Sequence, residues 1–293
     1  MAKKDNQDIL IQSFADFSKV YKIISSGDFQ DKITLVVGMP ELRPIEVLII
    51  TQFSIWLQKR SSNLTLLVSP KLKKYLDSIG LSEFCKTNIQ SPSTVESIES
   101  QTAMSIKRVD RETMHAYVNA TETYLKNICQ AKDLQMLNHC LSELINNVYD
   151  HSDSEIDAYV FCEYYPESNV ISIAVSDLGM GISNSVKRYF KQENKVEMSE
   201  REYVKWALEE NKTVRSRPHN MGKGLDNLNS FARSNDTIWK ILTNGVLMES
   251  VGSENRYYDN PIPGFQGTIV VLDIRVDRLQ ERKFVDDDWD WLN

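Results

Sequence analysis

Apolar and polar positions along this chain follow two different periods, and the switches between them mark the elements. Residues 31–37 (DKITLVV) are a short apolar run suited to a buried strand, and 63–68 (NLTLLV) read as a second. Between them, ELRPIEVLIITQFSIWLQKR (41–60) sets Leu48, Phe53, Ile55 and Trp56 at helical spacing, with Pro44 tolerated in a first turn. Ser69 and Pro70 open the next helix, the serine as cap and the proline at the first helical position; it runs through Ile79 and Gly80 ends it. Strand–helix–strand–helix predicts a small α/β unit with adjacent parallel strands.

Residues 86–102 are polar and rich in Ser and Thr, which reads as a linker or exposed loop. From Arg111 to Gln130 the period is helical again, with Met114, Tyr117, Val118, Thr121, Leu125 and Ile128 on one side. Asp133 opens a further helix that reaches about His151. IDAYVFCEYY (156–165) and NVISIAVSD (169–177) are β-rich, and Pro166-Glu167-Ser168 turns one into the other. Residues 182–221 are long, polar and charged. A helix starts near Lys223, and TIWKILTN, GVLMESV and GTIVVLDIRV predict three more strands, with Asn244-Gly245 as a tight hairpin turn. The expected organisation is a lobe at 1–86, a linker at 87–110, a second domain at 111–280 and a tail at 281–293.

Charge changes this picture in one respect. Residues 1–110 carry 14 Lys or Arg against 12 Asp or Glu, whereas 111–293 carry 20 against 29. An acidic second half argues against a broad nucleic-acid or anionic-membrane surface. The N-terminus has neither a long apolar stretch nor a small-residue cleavage site, and no apolar run approaches a bilayer span, so the expected compartment is the cytoplasm. Cys85, Cys129, Cys140 and Cys162 lack CxxC spacing and read as reduced packing residues.

Three segments carry candidate chemistry. In Glu143–Ser152 (ELINNVYDHS), Glu143 and Asn147 stand four apart and share a helix face. Asn147 offers an oxygen that a phosphate-bridging Mg²⁺ can use, and Glu143 can polarise a water for attack on a γ-phosphate. Asp150 and His151 crowd the same helix end, where polar groups are expensive to leave unpaired. In Asp177-Leu-Gly179-Met-Gly181 an acid at a strand end precedes two glycines: the carboxylate can take an exocyclic amine proton, and the glycines let backbone approach a flat ring. A plain strand-ending turn explains the same residues. Gly222-Lys223-Gly224-Leu225 precedes a helix, where free N–H groups and the dipole suit a phosphate; a simple loop-to-helix junction is equally compatible.

In this order, with Gly267-Thr268 on a last strand, the segments resemble the N box, G1 box and G2 box of the GHKL superfamily. That superfamily includes gyrase-type ATPases, MutL, a heat-shock chaperone, sensor histidine kinases and anti-sigma serine kinases. The resemblance covers about 130–277 and implies an α/β (α+β) fold, with a Bergerat-type sandwich built on a mixed sheet. It further implies ATP and Mg²⁺ as ligands, with Asn147 on the metal, Asp177 on the adenine amine, Gly179 and Gly181 beside it, and Thr268 supporting adenine through water. Gly222, Lys223, Gly224 and Leu225 would meet the phosphates, and Glu143 would be the general base of the ATPase branches.

The stretch between the second and third segments resembles the family's ATP lid. It holds nine Lys or Arg and six Glu, and Arg215 and Arg217 are the candidates for reaching a γ-phosphate. The phosphoacceptor signature of a sensor kinase is absent: His115 lies in MHAYVNATETYL, and His139 is too close to the N box. The N-terminal lobe is similar to a STAS-like domain, although its strand–helix corner, Gly38 to Pro44, has no serine and Ser78 falls late in a helix. The tail VDDDWDWLN reads as an acidic-aromatic docking peptide or a frayed terminus. Three functions fit: an Mg²⁺-dependent ATPase acting as a conformational switch, with a protein partner or a homodimer; an anti-sigma-type serine/threonine kinase acting on a STAS-like partner; or a non-hydrolysing ATP-sensing interaction module.

Overall fold

The computed structural model describes residues 7–92, 102–110, 112–151, 157–209, 223–252 and 254–282, with the side chains of 148–151 and 223–226 outside the description. The first unit is β1 (Gln7–Ile11), α1 (Ser18–Ser26), β2 (Lys32–Val37), α2 (Pro44–Gln58), β3 (Asn63–Leu67), α3 (Pro70–Ser78), the single turn α4 (Leu81–Phe84) and β4 (Asn88–Gln90). The four strands pair in parallel in the order β1-β2-β3-β4. A parallel sheet that always steps in one direction through right-handed crossovers keeps its helices on one face. Nothing in that topology singles out the STAS-like reading of 1–86. The predicted caps are in place: Leu72 N donates to Ser69 Oγ at 3.2 Å, and Gly80 is left-handed with φ +73°.

The second unit is β5 (Lys107–Val109), α5 (Met114–Ile128), α6 (Gln135–His151), β6 (Ala158–Tyr165), β7 (Val170–Asp177), α7 (Ile182–Gln192), α8 (Glu200–Ala207), α9 (Lys223–Ser234), β8 (Ile238–Thr243), β9 (Val246–Val251), β10 (Glu254–Asp259) and β11 (Thr268–Arg275). Its seven strands run in the order β10-β9-β8-β11-β7-β6-β5, and each described pairing is antiparallel. The fold is α/β, as expected. The mixture of strand directions lies between the two sheets rather than inside one. The stretch expected as a linker begins with β4 of one sheet and ends with β5 of the other.

Both faces of the seven-stranded sheet are buried, for different reasons. Val160, Cys162, Ile173, Val175, Ile241 and Leu272 point toward α5, α6 and α9 and form one core with Leu137, Leu141, Ile145, Leu228 and Phe231. The alternate residues, Tyr159, Phe161, Ala174, Leu242, Ile269 and Val271, join the core of the first unit. The element between the sheets is α2. Twelve of its fifteen residues are buried, and they include Glu46, Thr51, Gln52 and Ser54 as well as the apolar run. A helix buried nearly all round has no solvent side to turn outward, so it belongs between two layers. The molecule is stacked as parallel sheet, helices, antiparallel sheet, helices. The outer face of the parallel sheet is left bare, with Leu10 45% and Leu67 37% exposed.

Among the described residues, no helix is long and apolar enough to cross a membrane. The four cysteines are buried and unpaired, and burial pushes the thiols of Cys85 and Cys140 up to about 12, so they are packing residues.

Candidate functional site

The helix-facing side of the long sheet ends in a row of three polar residues on adjacent strands. Thr268 of β11 pairs with Asp177 of β7 on one side and with Thr243 of β8 on the other. Asp177 is only 3% exposed. Its Oδ1 accepts Gly179 N at 2.7 Å. Burial raises its pKa to about 7, against the opposing pull of hydrogen bonding from Gly179 and Thr268. No Lys or Arg among the described residues pairs with it. A buried carboxyl without a cation is what a neutral donor such as an exocyclic amine would satisfy.

The loop that leaves Asp177 is fixed by the β8–β9 turn and by the start of β11. Gly181 has φ +77°, and a Cβ there would collide with the Asn244 side chain; Gly267 has φ +92°, and a Cβ there would collide with the Asp177 carbonyl. Asn244, at φ +45° in the β8–β9 turn, donates from Nδ2 to Met180 O at 2.9 Å and accepts from Ser183 Oγ at 2.7 Å. Ile182 N donates to Thr243 Oγ1 at 2.8 Å. Gly181 therefore serves close packing of the loop on the hairpin, and Gly179 closes a turn on its own aspartate. The turn explanation accounts for both glycines, while the buried Asp177 carboxyl is what that explanation leaves over. The Asn244-Gly245 pair had been legible only as a hairpin turn; its second role as a clamp on 180–183 is a tertiary property.

Glu143 and Asn147 are half-buried on α6. The helix begins where predicted, with Asp133 Oδ1 accepting Gln135 N at 2.9 Å. Nε2 of His139 stands 3.4 Å from Glu143 Oε1 and 3.3 Å from Nδ2 of Asn227 on α9. His139, Glu143 and Asn227 thus bridge the two helices over the sheet. Asn227 escaped the sequence reading because one helical turn past a glycine-rich start carries no signal of its own. Among the described residues no hydrogen bond or ion pair joins this trio to Asp177.

Lys223, Gly224 and Leu225 form the first turn of α9, as the loop-to-helix reading required. Arg215, Arg217 and Gly222 lie outside the described residues, as do the side chains of Asp150, His151, Lys223 and Leu225 and the acidic-aromatic tail. His115 is exposed on α5. The charged stretch after Gly181 contains two helices, α7 and α8, that pack on each other through Val186, Phe190 and Tyr203. Arg201 of α8 reaches the sheet edge, pairing with Asp259 of β10 at 2.6 Å.

No family model matches this sequence, and no curated protein matches it. Among solved structures the chain is similar to the topoisomerase IV ATP-binding domain of Francisella tularensis in complex with a small-molecule inhibitor. The likeness has 17% identity and a TM-score of 0.28, over 63% of this chain and 81% of that one.

Proposed function

We propose that this chain binds ATP with Mg²⁺ and hydrolyses it as a conformational switch. The observation that carries this reading is the Asp177 carboxyl: buried at the end of β7, beside Thr268, without a cationic partner among the described residues. In this reading Asp177 accepts the adenine amine and Thr268 supports the ring. Asn147 holds the metal, which would neutralise phosphate charge and orient the terminal phosphoryl group. Glu143 takes the proton of the attacking water, and His139, in contact with its carboxylate, steers that side chain. Gly222, Lys223, Gly224 and Leu225 at the start of α9 would bind the phosphates, and α7–α8 with Arg215 and Arg217 would serve as the lid. Lid closure changes the surface offered to a protein partner or a second copy.

A titration with ATP and Mg²⁺ tests the reading. Asp177→Asn should weaken nucleotide binding by about 1–3 kcal/mol with or without metal, and Asn147→Ala should remove mainly the metal-dependent part. Glu143→Ala should keep binding and abolish turnover. Wild-type protein that binds no adenine nucleotide, or an Asp177→Asn variant that binds as tightly as wild type, overturns it.

A further inference from the structure

A cavity of about 170 Å³ lies between the two sheets, and Asp177 does not line it. It opens at the carboxyl ends of β2 and β3, where open parallel sheets place their ligand crevices. Arg43 comes from the loop after β2; Lys71 and Tyr75 come from α3; Glu163 and Tyr165 come from the end of β6, on the face turned toward α2. About 170 Å³ is room for a small polar molecule.

Its chemistry is two-sided. Glu163 is only 6% exposed, and its Oε2 accepts both the Tyr75 and the Tyr165 hydroxyls, each at 2.8 Å. Its Oε1 accepts no hydrogen bond from any described residue. A carboxylate oxygen on a cavity wall with its partner oxygen already doubly hydrogen-bonded is a position for a ligand N–H. The lining also carries two cations, Arg43 and Lys71, and a second carboxylate, Glu41. Arg43 lies over the Tyr165 ring at 5.5 Å and pairs with Glu41, 3.6 Å away, at the exposed rim. Lys71 is exposed and ion-paired to no described residue.

We propose that this cavity binds an amino-acid-sized zwitterion, its ammonium on Glu163 and its carboxylate between Arg43 and Lys71. The two phenols hold the Glu163 carboxylate in place, so the acceptor is preorganised. Burial pushes the Glu163 carboxyl above its ordinary range, a cost that a bound ammonium offsets. The cavity wall joins both sheets, so occupancy would brace the first unit against the second. This proposal does not depend on nucleotide binding at Asp177.

The test is thermal unfolding and calorimetry of the full chain with each of the twenty amino acids, with methylamine and acetate as single-charge controls, and no nucleotide present. At least one amino acid should raise the melting temperature with saturation, while methylamine and acetate at equal concentration do not. Glu163→Gln keeps an oxygen for the two phenols and should weaken binding at least tenfold; Lys71→Met, at an exposed position, should fold normally and weaken it severalfold. The proposal is overturned if no amino acid shifts the transition, if acetate alone binds as well, or if both variants bind like wild type.

Discussion

Asp177 shows what one residue can encode in sequence and what it cannot. An acid at a strand end before two glycines reads equally as a turn and as a polar anchor, and the structure makes it both: Gly179 N closes the turn, and the carboxyl stays buried. That burial has a consequence for stability. The unfolded chain holds this proton only below the ordinary aspartate value of 3.8, whereas the folded chain holds it up to about 7. Between those values the folded state binds more protons, so this residue's contribution falls as pH rises and its cost is complete above about 7, at no more than about 4 kcal/mol. Glu46 and Glu163, also raised by burial, push the same way, so the difference between variant and wild type is the quantity to measure. Denaturant unfolding without nucleotide should show Asp177→Asn gaining stability over wild type at pH 8 and gaining little at pH 4.5. A pH-independent difference would contradict the raised pKa. Asn244 and Asn227, by contrast, could not be picked out as site neighbours, because their roles come from contacts with residues 64 and 88 positions away.

At the scale of elements, what was legible followed from caps and periods. Pro44 at the start of α2, Ser69 before α3, Asp133 before α6 and the Pro166-Glu167-Ser168 turn, closed by Asn169 N on Pro166 O, each sit where the sequence put them. β1 is short, and β10 (ENRYYD) is an exposed edge strand with no apolar alternation to find. α8 did carry a signal: Ser199 and Glu202 form a reciprocal capping box. The placement of α2 was hidden in plain composition, since its VLII run has no polar face to orient it. Phe53 of α2 is fully buried in the core that the two sheets share, and Phe53→Ala should cost about 3–5 kcal/mol. Leu10→Ala, on the bare sheet face, should cost less than about 1 kcal/mol. Denaturant midpoints of the two variants check the contrast; equal losses would mean that the outer face is covered in solution.

For the whole molecule, the sequence indicated two units but not how they are joined. A division into 1–86 and 111–280 treats each as self-sufficient, yet Tyr159, Phe161, Leu242, Ile269 and Val271 of the long sheet share a core with Leu48, Phe53 and Trp56 of α2. No local pattern could show this, because a strand buried on both faces looks the same whichever neighbours bury it. The full chain should therefore unfold in a single transition by near-UV and far-UV probes. A fragment spanning 103–282 should expose that apolar face and aggregate or bind a hydrophobic dye. A fragment that is monomeric, dye-silent and as stable as the full chain would show that the units are independent.

The buried helix α2 also sets a problem of timing during synthesis. The strands that cover its second side, β6 and β7, end at Tyr165 and Asp177, more than a hundred residues after α2 ends at Gln58. At roughly 5–20 residues per second, the nascent chain carries an uncovered greasy cylinder for on the order of ten seconds before its lid of strands leaves the ribosome. Half-made copies of this protein should thus be clients for chaperones that hold emerging chains.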